Sequence, residues 1–99
     1  MLAITVTPMA EVDLVEIWLA IARDKPQAAD KMIDRFHSVF QTLAANPGMG
    51  QAVDRYRKGL RCFSVGIYVI FFKPTDEQLV IYRVLHGARD LDAIFKRPD

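Results

Sequence analysis

The chain has a single cysteine, Cys62, and only two histidines, His37 and His86, among its 99 residues. One thiol excludes an internal disulfide and any cysteine-based zinc site, and it is compatible with a reducing compartment. Long apolar runs are missing too: nothing approaches the roughly 20 residues of a membrane-spanning helix. The opening residues carry no basic stretch and no extended apolar segment, so no secretory signal is expected. Together these points lead us to expect a cytoplasmic protein. There is no Walker lysine loop and no dinucleotide fingerprint. Neither Cys62 nor Ser64 sits in a recognisable nucleophile setting. We therefore expect no cofactor and no metal.

What is present suits one folded domain spanning residues 1–99. Hydrophobic residues make up 52% and charged residues 25%, well away from a disordered composition. A chain of this size buries roughly 60–70% of its unfolded surface, enough for a core without staples. The formal net charge is only +1, but it is unevenly placed. Residues 1–52 hold four basic and six acidic side chains, whereas residues 53–89 hold seven basic and three acidic. The second half is thus the positive half, which suits an anionic partner, either nucleic acid or an acidic protein.

Apolar periodicity sets the elements. Residues 3–7 read as a short strand. Thr7 and Pro8 then suit the cap and first turn of a helix. Ala10, Leu14, Ile17, Trp18 and Ile21 form its apolar stripe. Pro26 opens a second helix with Ala29, Met32, Ile33, Phe36, Phe40 and Leu43 on one face, ended by Asn46-Pro47-Gly48. Residues 49–57 read as a polar loop. Residues 59–65, 68–73 and 79–86 read as three strands, the middle one apolar enough to be covered on both faces. A short helix is expected over residues 88–95. The fold class is α+β: an N-terminal strand, a two-helix antiparallel hairpin, a three-stranded antiparallel meander and a short C-terminal helix.

Arginines interrupt the strand patterns at Arg61 and Arg83. A guanidinium in a strand must meet water, a carboxylate or an anion, because burying it unpaired is costly. The two can form a phosphate clamp, extended by Arg55, Arg57 and Lys58 with Tyr56 and Tyr68 as stacking surfaces. They can equally pair with acids on this chain or on a partner. Alternation puts Leu79, Ile81, Arg83 and Leu85 on one face and Val80, Tyr82, Val84 and His86 on the other. Arg83 and His86 then point apart unless a bulge re-aims one of them. His86 also suits a structural role at the strand end.

The motifs, taken in order, resemble one family over nearly the whole chain. They are Thr7-Pro8, Asp13-Leu14-x-Glu16-Ile17-Trp18, Ala28-Ala29, Asn46-Pro47-x-Met49-Gly50, Gly59-Leu60-Arg61-x-Phe63-x-Val65-Gly66-x-Tyr68-x-Ile70-Phe71, and Arg83-Val84-Leu85-His86-Gly87-Ala88-Arg89-Asp90. The family is the ParE toxins of the RelE/ParE superfamily, known also as plasmid-stabilisation proteins. The resemblance implies a RelE/ParE-like fold and a cognate antitoxin that lays a helix into an apolar groove. It also implies DNA gyrase as target, with DNA reached only indirectly through the antitoxin complex. Partner-binding residues expected on this basis are Arg61, Arg83, His86, Arg89, Trp18 and Tyr68. The alternative within the superfamily is a ribosome-dependent mRNA endoribonuclease of RelE type. Arg61 and Arg83 resemble the strand arginines of those nucleases, but no Tyr or His follows Asp90. That departure favours an inhibitor over a catalyst, with no catalytic residue assigned.

Overall fold

Thr7 begins the first helix as its chemistry dictates. Its hydroxyl accepts a hydrogen bond from the Ala10 N–H at 3.1 Å, satisfying one donor that the first turn leaves open. The computed structural model describes residues 1–96, without the Lys96 side chain. The elements in order are β1 (Ala3–Val6), α1 (Pro8–Ala22), α2 (Pro26–Ala45), β2 (Gln51–Ala52), β3 (Arg61–Val65), β4 (Tyr68–Pro74), β5 (Gln78–His86) and α3 (Leu91–Lys96). Arg97 and Asp99, counted in the charge reading, lie outside the described residues.

The five strands form one sheet in the order β1-β5-β4-β3-β2. The meander β3-β4-β5 is antiparallel, as expected. β1 adds a feature the sequence pattern does not reveal, since it pairs parallel to β5. The segment read as a polar loop is partly structured: β2 pairs with β3 there, and Val53 just beyond it is 3% exposed. Gly50 turns the chain into this edge strand with φ of +80°, where a side-chain carbon would collide with the carbonyl oxygen of Cys62.

Two cores result. One lies between the helix hairpin and the sheet, built from Leu14, Ile17, Phe36, Phe40, Ile70, Phe72, Ile81 and Val84 among others. The other lies on the opposite face, where Val53, Leu60, Phe71, Leu85 and Phe95 pack together under α3. The apolar run of β4 follows directly. Ile70 and Phe72 serve the first core and Phe71 serves the second, so the strand is covered on both faces.

Candidate functional site

The site begins at the edge of β5 that β1 leaves open. β1 pairs with β5 only as far as Val6 opposite Ile81. Beyond that point the chain turns into α1, and the helix itself serves the exposed strand edge. The Thr7 N–H donates to the Ile81 carbonyl at 3.1 Å, and the Thr7 hydroxyl donates to the Tyr82 carbonyl at 2.9 Å. One and a half turns later the Asp13 carboxylate accepts from the Val84 N–H at 3.0 Å. An otherwise unpaired strand edge is thereby satisfied without a further strand.

The same carboxylate fixes Arg83. The Arg83 Nε and Nη2 donate to Asp13 Oδ2 and Oδ1 at 2.8 and 2.9 Å, a two-pronged pairing matched to guanidinium geometry. The two side chains are 16% and 4% exposed. The hydrogen bonds push Arg83 further above its ordinary pKa, against the burial that pulls it down. Of the alternatives open to Arg83, pairing with an acid on its own chain is the one observed.

A bulge explains why strict alternation misplaces this strand. Phe72 lies opposite Ile81 but Phe71 lies opposite Arg83, leaving Tyr82 as the extra residue. The phase shifts there. Val84 joins Ile81 in the hairpin core, while Leu85 moves to the core under α3. The expectation of Ile81, Arg83 and Leu85 on one face is therefore corrected. His86 still diverges from Arg83, since their cross-strand partners Tyr68 and Phe71 belong to opposite cores. The His86 Nδ1 accepts from the Ala88 N–H at 3.0 Å, and its ring meets Tyr68 edge-on at 5.7 Å.

Arg61 and Arg83 do not form a joint clamp. Arg61 is opposite Phe72, on the hairpin face, and its guanidinium donates to the carbonyls of Met49, Gly48 and Gly50 at 3.0, 2.8 and 3.0 Å. It holds the turn that leads into β2. These backbone carbonyls are partners that the alternatives of water, carboxylate and external anion did not include. Arg61→Ala should lower stability by about 1–2 kcal/mol, because hydrogen bonds to a charged donor exceed neutral ones and this one is only half-buried. Urea unfolding measures it, and a change below about 0.5 kcal/mol would contradict the assignment.

The stacking surfaces are likewise already used. Tyr56 stacks on Phe95 at 4.9 Å, and Tyr68 meets Phe36 edge-on at 5.6 Å. Trp18 donates its indole N–H to Asp30 at 2.8 Å, tying α1 to α2. Cys62 is half-buried, which pushes its thiol up and suits an inert side chain.

Among the six expected partner-binding residues, Tyr68 and His86 meet across the sheet, and Arg83 and Arg89 come together elsewhere. Both line a cleft of about 710 Å³ between the start of α1 and α3, with Arg57, Met9, Ile94 and Phe95. Arg57 lies over the Tyr82 ring at 5.3 Å. Two features had escaped the sequence reading. Asp13 follows the i, i+3, i+4, i+7 spacing of Ala10, Leu14 and Ile17, a signal that it faces inward. In addition, α1 is apolar on its outer side, with Met9, Val12, Val15 and Leu19 each more than half exposed.

The model of the "ParE toxin of type II toxin-antitoxin system, parDE" matches residues 4–91. The chain belongs to the ParE toxin family. Toxin ParE1 of Mycobacterium tuberculosis is 33% identical over 88 residues, covering 87% of this chain and 90% of the relative. Toxin ParE3 of Caulobacter vibrioides is 36% identical over 67 residues, covering 68% of this chain and 67% of that one. Among solved structures, the chromosomal ParDE system of P. aeruginosa superposes with a TM-score of 0.75 at 21% identity, covering 87% of this chain and 96% of that one. The RelBE2 toxin–antitoxin complex of M. tuberculosis gives 0.63 at 22% identity, covering 86% and 96%. Both support the ParE fold. The described residues include no helix long and apolar enough to cross a membrane.

Proposed function

We propose that this ParE-family chain inhibits DNA gyrase in the cytoplasm and is neutralised by a small antitoxin. The family membership supplies the toxin role. What favours an inhibitor over a nuclease is the engagement of the arginines. Arg61 is bonded to three carbonyls and Arg83 to Asp13, while His86 lies on the other face from Arg83. Cleaving RNA needs a base for the 2′-hydroxyl, an acid for the leaving oxygen and cationic stabilisation of the phosphorane. Arg83 and His86, candidates for two of these roles, point to opposite faces of the sheet, which supports the inhibitor reading.

Two assays test this. Purified chain should block supercoiling by purified gyrase at near-stoichiometric concentration and leave ribosome-bound mRNA intact. Cleavage of that mRNA, lost on His86→Ala, would replace this reading with the endoribonuclease one. Co-expression with the neighbouring small reading frame should yield a co-purifying complex and relieve the inhibition.

A further inference from the structure

The loop between β2 and β3 is closed on itself. The Val53 N–H donates to the Leu60 carbonyl at 2.9 Å, the Tyr56 N–H to the Val53 carbonyl at 2.9 Å, and the Leu60 N–H to the Arg57 carbonyl at 3.1 Å. Asp54 adds a side-chain tie, its Oδ1 accepting from the Gly59 N–H at 2.7 Å. The loop therefore presents Arg55 and Lys58 from a fixed frame, and both are exposed. Lys73 joins them from β4. A side-chain carbon built on Gly59 would lie 3.2 Å from the Lys73 Cε, so that stem runs across the loop. Arg61 adds a fourth charge at the start of β3, since its carbonyl partners leave the guanidinium net positive. Burial pushes the Cys62 thiol up while Arg55 and Arg61 both pull it down, so the two charges act on one side chain. Among the described residues, no carboxylate pairs with Arg55, Lys58, Arg61 or Lys73. Asp54 and Asp92, which adjoin the loop, are bonded to the Gly59 N–H and the Tyr56 hydroxyl.

We propose that this surface binds the phosphate backbone of duplex DNA, with Arg55, Lys58 and Lys73 as the contacts and Arg61 as supporting charge. The chain then meets DNA directly, not only through an antitoxin complex. The proposal goes beyond the gyrase reading and rests on it in one respect: the duplex met in the cell is the one gyrase holds. Two observations choose the ligand. The exposed large apolar side chains are Met1, Met9, Val12, Val15, Leu19 and Ile67, and none belongs to the loop or to β4. The surface thus offers a peptide no apolar anchor. Single strands, in turn, gain affinity from bases stacked on open rings. The Tyr56 ring is already stacked on Phe95 at 4.9 Å and lies under the Arg55 guanidinium at 4.6 Å. What remains is charge on a fixed frame, which suits a duplex whose bases stay stacked inside it.

The test uses the purified full chain and a DNA duplex of about 30 base pairs and mixed sequence, with no gyrase present. Three phosphate contacts predict a log–log salt slope of about −2.7, so affinity should fall about 40-fold between roughly 50 and 200 mM KCl. Lys58→Gln and Lys73→Gln should each reduce that slope by about one, and together they should weaken binding about tenfold or more at the lower salt. Both lysines are exposed, so melting temperatures should stay within about 4 °C of the parent. A slope near zero in the parent, or unchanged affinity in the double variant, overturns the proposal and leaves the gyrase reading standing. Tighter binding of a single-stranded RNA of equal length, lost in the same double variant, overturns it in favour of RNA. Binding of the duplex with the expected slope by a chain that fails to inhibit gyrase upholds this contact and removes the gyrase reading.

Discussion

Asp13→Ala is expected to destabilise the chain by about 3–5 kcal/mol, the range for removing one partner of a buried ion pair. Three hydrogen bonds end on that carboxylate, two from Arg83 and one from the Val84 N–H. Its loss strands a guanidinium that is 16% exposed and a backbone donor at a strand edge. For a domain of this size, each kcal/mol moves Tm by roughly 4–8 °C, so the variant should be partly unfolded near 37 °C. Asp13→Asn keeps an acceptor for Val84 but offers Arg83 no charge, and should fall between the parent and Asp13→Ala. Replacing both partners, as in Asp13→Leu with Arg83→Met, should recover much of the loss because no charge is then left unpaired. Urea unfolding of the four proteins checks this. A cost below about 1 kcal/mol for Asp13→Ala would mean that water readily replaces the carboxylate.

Phe71→Ala is the second large effect, expected at about 3–5 kcal/mol. Phe71 is 1% exposed, with its ring 4.7 Å from Phe95 and 6.2 Å from Tyr56. α3 has only six residues, far too few to hold a helix without packing. Removing the ring beneath Phe95 should therefore release α3 and open the cleft it walls, while the hairpin core built on Ile70 and Phe72 persists. Exchange protection should vanish over residues 91–95 at denaturant concentrations where α1 and α2 remain protected. Uniform loss of protection across the chain would show instead that the two cores unfold as one unit.

The helices were legible because their signals are local. Thr7 and Pro8 mark one start, Pro26 the other, and the apolar residues recur at helical spacing between these points. The meander was legible for the same reason, with Gly66 at φ +59° turning β3 into β4. Pairings across the whole chain were not. Nothing in Ala3–Val6 announces that it lies beside residues 78–81, nor that it does so in parallel. The bulge at Tyr82 was invisible because alternation describes a regular strand, and a single inserted residue reverses every later assignment. At the site, composition flagged the arginines but not where they point. Arg61 bonds the carbonyls of residues 48–50, groups present in any sequence and so unmarked in this one. Asp13 has the spacing of its inward-facing apolar neighbours but the chemistry of a surface residue, so composition does not mark its burial.

The sheet order also constrains how the chain can assemble during synthesis. β5 sits between β1 and β4, so the first strand made has no strand neighbour until the last strand exists. A nascent chain that ends before residue 78 holds two apolar-faced helices and the strands β2, β3 and β4, with no β5 to join β1 to them. Closure then demands a contact between residues about 75 apart, the kind of long-range pairing that slows folding. The final arrangement, including the Asp13–Arg83 pair, is reached only as the chain is completed. A ribosome-bound fragment lacking β5 should accordingly remain protease-sensitive and inactive, whatever its helices do on their own.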